Sequence, residues 1–386
     1  MTRLLEPLPI DPHHPERILG DLEQAIAGQR SLLPLPGGTS PHDRARATLL
    51  RNTQRAGAPI DEGIALVVGT SGSTGTPKGA QLSPRNLVSS ADATHRVLGG
   101  EGNWLLAMPA HHIAGLQVLI RSLIAGVEPL CLDLSGGFSI RDFARAAEEL
   151  RSSTPGERCY TALTPMQLLK AMDSLEGIEG LRRFDRILIG GAPLRAETRR
   201  SAEELGIRLV TTYGSSETSG GCVYDGRPLP GARVRLEEGR IILGGPMVAQ
   251  GYRNAPESEA FAQPGWFRTS DGGSMDDDGR LRVEGRLDAI IDTGGLKLHP
   301  EVVENHLTEH PGIEAACVVG VPDPRRGQQV VAAYTGVARP GDVYEHCAEL
   351  PRWQVPRQVK KVERLPLIGP GKVDRQAVRR LFEAAL

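Results

Sequence analysis

The sequence predicts an α/β protein with a large N-terminal domain of layered α/β sheets, a small β-barrel-like part and a small α+β C-terminal domain. From residue 64 onward, short apolar runs alternate with segments of helical periodicity, which is typical of layers around a largely parallel sheet. After Pro246 the pattern changes to glycine-rich turns and short strands. The chain has 386 residues, more than one hydrophobic core usually supports, so we expect two or more packed units.

Each element of the large domain follows from a local pattern. Residues 15–30 place apolar side chains at helical spacing and predict an amphipathic helix. The runs predicted to form strands are IALVV, NWLLAM, VEPLCL, RILIGG and RLVTTY. The segments predicted to form helices between them include SIRDFARAAEEL and RAETRRSAEELG.

The last hundred residues predict a second compact unit. Pro300 in the first turn favours a helix in PEVVENHLTEH, because proline is well tolerated at that position. The apolar segments IEAACVVGVP and QVVAAYTGV predict strands, and DRQAVRRLFEAAL predicts a closing helix.

Composition excludes several classes of protein. The 45 Lys and Arg residues nearly balance the 47 Asp and Glu residues, and no basic stripe is present, so nucleic acid is not an expected partner. The five cysteines lie far apart without a C-x-x-C pair, which favours neither a disulfide framework nor a zinc site and fits a reducing cytoplasm. The N-terminus lacks the apolar core of a signal peptide, and Arg121 and Glu128 interrupt the longest apolar stretch, so we expect no membrane span.

A glycine-rich and hydroxyl-rich loop, TSGSTGTPKG at residues 70–79, directly follows the predicted strand IALVV. Glycine lets backbone N–H groups approach phosphate oxygens, the hydroxyl groups add donors, and Lys78 adds a positive charge. The loop differs from the mononucleotide P-loop, because Pro77 and Gly79 occupy the places of a glycine and a Ser or Thr. The pattern predicts polyphosphate binding, and a flexible Gly/Ser turn is the alternative.

Three further motifs follow in a fixed order: YGSSET at 213–218, GRLDAIIDTGGLKLHPEVVE at 285–304 and PLIGPGKVDR at 366–375. Together with the loop, they resemble the adenylate-forming superfamily, which contains acyl-CoA synthetases, luciferases and the adenylation domains of peptide synthetases. The resemblance extends over nearly the whole chain from about Gly63, and its specificity is high because four independent motifs agree in order.

The resemblance implies a site for ATP and Mg²⁺. Ser216 matches the hydroxyl that touches the α-phosphate, and Glu217 matches the carboxylate that holds Mg²⁺. Asp271 matches the acceptor for both ribose hydroxyls, although Ser270 replaces the usual glycine before it. The complete set of implied ATP- or AMP-binding residues is Thr70, Ser71, Gly72, Ser73, Thr74, Gly75, Lys78, Gly191, Ala192, Pro193, Tyr213, Gly214, Ser215, Asp271 and Arg286.

The resemblance also implies a two-domain mechanism. It divides the chain into an AMP-binding domain, residues 1–287, and a mobile C-terminal domain, residues 288–386, with a hinge at Asp288. Lys372 is expected to be catalytic, because a mobile ammonium group can bridge the attacking carboxylate and the α-phosphate. The residues implied to line the tunnel for CoA are Gly294, Gly295 and Lys297.

The acyl pocket is expected around MPAHHIAGL at 108–116 and around Gly190 and Gly191. His112 takes the place of the family's histidine, and the resemblance implies a catalytic role for it. His111 replaces an aromatic residue, so this side of the pocket is more polar. Two imidazoles can donate hydrogen bonds to a second carboxylate of the substrate, and a gating or structural role for the histidines is the alternative.

The motifs therefore predict an ATP-dependent acid–CoA ligase whose partners are a small carboxylic acid, ATP and CoA. Only 69 residues precede the loop, and this short length together with the MPAHHIAGLQVL stretch resembles the 2-succinylbenzoate–CoA ligases of menaquinone biosynthesis in their compact actinobacterial form. Another aryl- or fatty-acyl-CoA ligase and a non-catalytic nucleotide-binding module remain open. An amino-acid adenylation domain is less favoured, because no carrier domain follows Leu386. A homodimer is left open.

Overall fold

A computed structural model of the protein describes residues 2–70, 76–368 and 372–383, with the backbone alone at Ile368 and Lys372. The chain forms two compact units. The first comprises Met1–Arg235 and Ile242–Arg268, and the second comprises Leu236–Ile241 and Thr269–Leu386. The hinge at Asp288 and the domain boundary at residue 288 stay predictions.

The first unit opens with a four-stranded sheet in the order β1-β2-β3-β4. The first three strands are parallel and β4 is antiparallel to β3. All six residues of β2 are buried, and leucines from β1 and β2 pack with helix α2 in one core cluster. The bounds are β1 (Leu5–Ile10), α1 (Leu19–Ile26), β2 (Ser31–Pro36), α2 (Pro41–Thr53), β3 (Leu66–Gly69) and β4 (Gly79–Leu82).

A seven-stranded sheet in the order β11-β10-β9-β8-β7-β5-β6 forms the centre of the first unit. Strands β6, β5, β7, β8 and β9 are parallel, and β10 and β11 continue antiparallel. The strands are β5 (Asn103–Leu106), β6 (Leu130–Cys131), β7 (Cys159–Leu163), β8 (Arg186–Ile189), β9 (Leu209–Ser215), β10 (Gly220–Tyr224) and β11 (Arg227–Pro228).

Six helices alternate with these strands, and side-chain caps fix where several of them begin. Ser83 and Asn86 form a capping box at the start of α3, and Thr164 and Gln167 form another at the start of α6. Within the described part of the chain, no helix is both long and apolar enough to cross a membrane. The helices are α3 (Pro84–Leu98), α4 (Ile113–Ala125), α5 (Ile140–Ser153), α6 (Pro165–Met172), α7 (Leu175–Arg182) and α8 (Ala196–Glu204).

The segment after Pro228 forms a sheet of short strands, which begins earlier than the predicted boundary at Pro246 because β12 and β13 precede that residue. Its order is β12-β13-β14-β15, and β14 pairs antiparallel with β15. Each of the first three strands, β12, β13 and β14, contains residues of both units. The bounds are β12 (Arg233–Glu237), β13 (Arg240–Gly244), β14 (Trp266–Met275) and β15 (Leu281–Arg286).

The second unit contains a five-stranded sheet in the order β17-β16-β19-β18, with β20 parallel to β19. Successive residues of β18 and β19 alternate between two apolar clusters, one on each face. The bounds are β16 (Ile291–Thr293), β17 (Leu296–Leu298), α9 (Pro300–Glu309), β18 (Ile313–Asp323), β19 (Gly327–Gly336), α10 (Pro340–His346), β20 (Gln358–Lys361), β21 (Leu367–Ile368), β22 (Lys372–Val373) and α11 (Arg375–Glu383).

A half-buried ion pair joins α11 to α9 within the second unit. Arg375 donates to both carboxylate oxygens of Glu304 at 2.7 and 2.9 Å and to the carbonyl oxygen of Val318 at 2.7 Å. Burial lowers the pKa of Arg375, but the charge and hydrogen bonds of Glu304 outweigh that effect and raise it overall. The guanidinium therefore stays charged and has a structural role. The predicted fold class, α/β with a large N-terminal and a small C-terminal part, is confirmed.

Candidate active site

Candidate residues follow three parallel strands of the seven-stranded sheet at the same edge. His111 and His112 follow β5, residues 190–193 follow β8, and residues 213–215 end β9. The carboxyl ends of parallel strands are where α/β sheets usually bind ligands, because loops of one polarity converge there. The sheet therefore collects the predicted acyl and adenine residues at one edge.

Glycine makes this edge accessible. Gly191 has a φ of +86°, a left-handed conformation that favours glycine, and residues 191–193 are exposed. A Cβ at Gly190 would collide with the hydroxyl of Thr212, which donates to the carbonyl oxygen of Ile189 at 3.1 Å. The backbone of residues 191–193 is therefore accessible, and the role of this segment as a wall of the nucleotide site stays a prediction.

The YGSSET segment ends β9 and forms a 3₁₀ helix at Ser216–Thr218. A Cβ at Gly214 would collide with the carbonyl oxygen of Gly220, and it would lie 2.8 Å from the Cα of Gly221. The backbone N–H of Ser215 donates to the hydroxyl of Thr218 at 3.0 Å. These contacts hold Tyr213, Ser216 and Glu217 in a tight turn.

Glu217 is buried, with 7% of its surface exposed. The hydroxyl of Tyr252 donates to Oε1 of Glu217 at 2.6 Å, and the ring of Tyr252 lies 4.8 Å from Nζ of Lys78. Among the described residues, no Lys or Arg forms an ion pair with this carboxylate. A buried carboxylate without a cationic partner suits a hydrated divalent cation. The sequence motifs did not point to Tyr252, because it lies 35 residues away in a segment without a motif.

The phosphate loop connects β3 to β4, and its central residues Ser71–Gly75 lie outside the described residues. Its ends are closed by hydrogen bonds, since the N–H of Thr70 donates to the carbonyl oxygen of Lys78 at 2.7 Å. The amide groups of Gln54 and Asn254 donate to the carbonyl oxygen of Pro77 at 2.9 and 3.0 Å. The strands therefore fix where the loop begins and ends.

The histidine pair lies at the start of α4, with its ring centroids 4.2 Å apart. The pKa of His111 is lowered to about 4. Burial is the main cause, and the charges of Arg46 and His42 contribute to the same shift. His111 is therefore neutral at pH 7, and a neutral imidazole can donate one hydrogen bond.

Arg46, on α2, supplies the positive charge beside the histidines. It is half-buried, and its Nη2 donates to the carbonyl oxygen of Thr70 at 3.2 Å. Burial lowers the pKa of Arg46, yet a guanidinium stays protonated in proteins. Among the described residues, no carboxylate pairs with it. Sequence reasoning missed Arg46, because α2 contains no motif. The contact of Arg46 with Thr70 becomes visible only in the folded structure.

In the second unit, Asp271 and Arg286 are direct partners in the β14–β15 ladder. Nε of Arg286 lies 3.8 Å from Oδ1 of Asp271 and donates to Oδ1 of Asp288 at 2.8 Å. The structure therefore brings together the predicted ribose acceptor, the predicted phosphate-side arginine and the predicted hinge residue. Their roles stay predictions.

The residues predicted for CoA form a hairpin between β16 and β17. Gly294 and Gly295 both have positive φ, 66° and 84°, as a two-residue type I′ turn requires. Nζ of Lys297 pairs with Asp292 at 2.5 Å. For the predicted catalytic Lys372, the structure describes the backbone, which pairs with Ile368 in a two-stranded ladder. Gly369–Gly371 lie outside the described residues.

The chain belongs to the family of AMP-binding enzymes. The family model with that description matches residues 37–253, and the model of the AMP-binding enzyme C-terminal domain matches residues 302–372. The two matches cover the sheet edge, the 3₁₀ turn with Glu217 and most of the second unit, so the predicted family is confirmed.

Relatives within the family include acid–CoA ligases. A probable 2-succinylbenzoate–CoA ligase of Mycobacterium tuberculosis (strain H37Rv) is 45% identical over 374 residues, 92% of this chain and 97% of the relative. A feruloyl-CoA synthase from an Amycolatopsis species is 32% identical over 83% of this chain and 70% of the relative. The solved O-succinylbenzoate coenzyme A synthetase (MenE) of Bacillus subtilis, in complex with ATP and magnesium ion, is 26% identical. It has a TM-score of 0.73 over 94% of this chain and 81% of that chain.

Proposed function

We propose that this protein is an ATP-dependent acid–CoA ligase that converts 2-succinylbenzoate to its CoA thioester in menaquinone biosynthesis. The carboxylate attacks the α-phosphate of ATP, pyrophosphate leaves, and the sulfur of CoA then displaces AMP from the acyl adenylate. The observation that carries the proposal is the 45% identity to a probable 2-succinylbenzoate–CoA ligase over almost the whole length of both chains.

The residues of the site fit ATP and Mg²⁺. Glu217 offers a buried carboxylate whose Oε1 is oriented by Tyr252, and Mg²⁺ is usually held by one or two carboxylates together with phosphate oxygens and water. Mg²⁺, when bound, neutralises charge on the phosphates. We assign Asp271 to the ribose hydroxyls, Ser216 to the α-phosphate, and Lys372 to the charge that develops when the carboxylate attacks.

The polar side of the acyl pocket favours an acid with a second carboxylate. Arg46 is a half-buried cation without a carboxylate partner among the described residues, and its charge acts on His111. A guanidinium and a neutral imidazole together match a carboxylate, because both donate hydrogen bonds and one carries the opposite charge. We assign Arg46, His111 and His112 to the second carboxylate of the substrate.

An aryl acid with one carboxylate is the second candidate, because a feruloyl-CoA synthase is 32% identical to this chain. The test is a CoA-thioester assay with 2-succinylbenzoate, benzoate, ferulate and a straight-chain fatty acid. We expect 2-succinylbenzoate to give the highest kcat/KM. Preference for ferulate or benzoate would contradict the assignment of the acid while leaving the ligase class intact.

The variant Arg46→Gln separates recognition of the acid from phosphate binding. If Arg46 binds the second carboxylate, kcat/KM falls about tenfold or more for the diacid and much less for benzoate, because a charge-assisted hydrogen bond contributes about 1.5–3 kcal/mol. Equal losses for both acids would place Arg46 at the phosphates instead. Arg51→Gln is the matched control, since Arg51 is exposed on the same helix.

We also propose a cytoplasmic location, which the cysteine pattern predicts. Whether the protein forms a homodimer stays open.

A further inference from the structure

A compact group of metal-ligating side chains lies in the second unit, away from the residues assigned to the reaction. It consists of His306 and Glu309 on α9 and His346 at the end of α10, and we call it the His306 cluster. One ligand atom of each residue lies within 4.8 Å of the other two, and no other such group of three occurs in the part of the chain that the structure describes. The catalytic account does not use this cluster.

Reciprocal hydrogen bonds fix the tautomers of both histidines. Nε2 of His306 lies 3.0 Å from the carbonyl oxygen of His346, and Nε2 of His346 lies 2.8 Å from the carbonyl oxygen of His306. A carbonyl oxygen can only accept, so each Nε2 carries the proton and each Nδ1 keeps a lone pair when the ring is neutral. The rings are stacked, with centroids 4.3 Å apart and planes at 9°. In many metal-binding histidines, one ring nitrogen donates a hydrogen bond to a carbonyl oxygen and the other ring nitrogen is the metal ligand.

A carboxylate oxygen of Glu309 lies close to the Nδ1 lone pair of His306. Nδ1 of His306 lies 3.4 Å from Oε2 of Glu309. A neutral Nδ1 and a carboxylate oxygen repel each other unless a cation lies between them. Ligand bonds of about 2.0–2.1 Å in a tetrahedral zinc site separate neighbouring ligand atoms by about 3.4 Å. The observed separation of 3.4 Å is long enough for a zinc ion to be bound by both atoms.

The surroundings favour a cation and leave a route for it. The side chain of His306 is 13% exposed, whereas that of Glu309 is 68% exposed, so an ion can enter from the Glu309 side and keep a water molecule there. His306 and His346 lie in the last turns of α9 and α10, where the helix dipole places partial negative charge. The neighbouring His310 uses its Nδ1 to accept from the N–H of Gly312 at 3.0 Å.

We propose that the His306 cluster binds one Zn²⁺ ion through Nδ1 of His306, Nδ1 of His346 and a carboxylate oxygen of Glu309, with water as the fourth ligand. An imidazole nitrogen binds an ion in the plane of its ring, and the two stacked planes are nearly parallel, so one of the rings turns out of the stack when the ion binds. The ion links the C-terminal ends of α9 and α10 and has a structural role in the second unit.

The test is isothermal titration of untagged, chelator-treated protein with Zn²⁺ at pH 7.5, compared with Glu309→Gln and with the control Glu363→Gln. Glu363 is an exposed glutamate of the same unit. We expect one equivalent to bind in the wild type and the control, and at least about tenfold weaker binding in Glu309→Gln, because a ligand is lost. Glu309 is largely exposed, so this variant leaves the fold intact.

A second readout separates a metal site from a simple ion pair between protonated His306 and Glu309. Co²⁺ bound in place of Zn²⁺ should show the intense visible absorption of tetrahedral coordination, and His346→Gln should abolish it. Failure of the wild type to bind one equivalent of Zn²⁺, or unchanged affinity in Glu309→Gln, would overturn the proposal. Neither result would affect the proposed ligase activity.

Discussion

Glu217 and Tyr252 show how a single hydrogen bond can prepare a cation site. The Tyr252 hydroxyl donates to Oε1 of Glu217 at 2.6 Å, which fixes the direction of the carboxylate before an ion arrives. The ring of Tyr252 also packs edge-on against Phe261 with centroids 5.0 Å apart. The hydroxyl and the ring therefore have separable roles.

The variant Tyr252→Phe tests the role of the hydroxyl. It keeps the packing of the ring and removes the hydrogen bond, so we expect the protein to fold normally. The Mg²⁺ concentration that gives half-maximal adenylation should rise about 10–100-fold, as is typical when a partner of a metal ligand is lost. An unchanged Mg²⁺ requirement, measured by pyrophosphate release, would show that Tyr252 does not orient the carboxylate.

His95 links stability to pH. It is buried on α3, and burial together with the charge of Arg121 lowers its pKa from 6.5 to about 4. The unfolded chain therefore binds a proton between these two values that the folded protein does not bind. Stability is fully present above pH 6.5 and falls as pH decreases toward 4, by about 1.4 kcal/mol per pH unit from this group.

Replacing His95 should remove that part of the pH dependence. In denaturant titrations between pH 6.5 and 4.5, His95→Leu is expected to show a slope smaller by about 1.4 kcal/mol per pH unit. The exposed His14 provides the control His14→Gln, which should keep the slope of the wild type. Parallel curves for the wild type and His95→Leu would mean that His95 titrates normally in the folded state.

Sequence motifs identified the residues of continuous segments but not their distant partners. Glu217 and Asp271 were predicted because each belongs to a short pattern, and the structure pairs Asp271 with Arg286 across a ladder. Tyr252 and Arg46 were not found, because each reaches the site only through the packing of another element. A single sequence does not show such contacts.

At the scale of elements, close backbone packing shapes the end of β9. Gly214 pairs with Gly221 across the antiparallel β9–β10 ladder, and the two backbones approach too closely for a Cβ. This approach allows the chain to turn directly into the 3₁₀ helix that carries Ser216 and Glu217.

Substituting Gly214 therefore tests the geometry of this turn. Gly214→Ala should lower the free energy of unfolding by about 1–3 kcal/mol, the usual range for overpacking, and should slow adenylation by displacing Glu217. Gly136→Ala is the control, because a Cβ at Gly136 would meet no atom within 4 Å. Equal stability and activity of the two variants would contradict the packing argument.

Element prediction succeeded where the apolar period was regular and failed where proline interrupted it. Helix α8 forms within its predicted segment, and α5, β18 and β19 cover most of theirs and extend one to three residues beyond them. The strands β1 and β2 were missed, because LEPLPI and SLLPLP contain prolines that usually exclude a strand. Burial of all six residues of β2 outweighs this local preference.

At the scale of the molecule, the proposed mechanism uses the mobile Lys372 in the first half-reaction and withdraws it for the second. The apolar clusters between Ile291 and Phe382 and the Arg375–Glu304 ion pair are internal contacts of the part of the chain that is predicted to move. The hinge and the role of Lys372 rest on the sequence motifs.

Lys372→Ala should separate the half-reactions. Formation of the acyl adenylate is expected to slow by about 10²–10³, because a contact to developing charge is lost, while supplied acyl adenylate and CoA should still give the thioester. Lys361→Ala is the control, since Lys361 is an exposed lysine of the same unit. Equal loss in both half-reactions, with the protein folded, would contradict the role assigned to Lys372.

The central claim is that a diacid is activated as its adenylate before CoA reacts. The most direct measurement is a single-turnover reaction of the wild type with 2-succinylbenzoate, ATP and Mg²⁺, quenched before and after CoA is added and analysed by mass spectrometry. The account predicts 2-succinylbenzoyl adenylate and pyrophosphate in equal amounts before CoA, then thioester and AMP after it. Thioester formed with ADP and phosphate, or no adenylate from any acid tested, would contradict it.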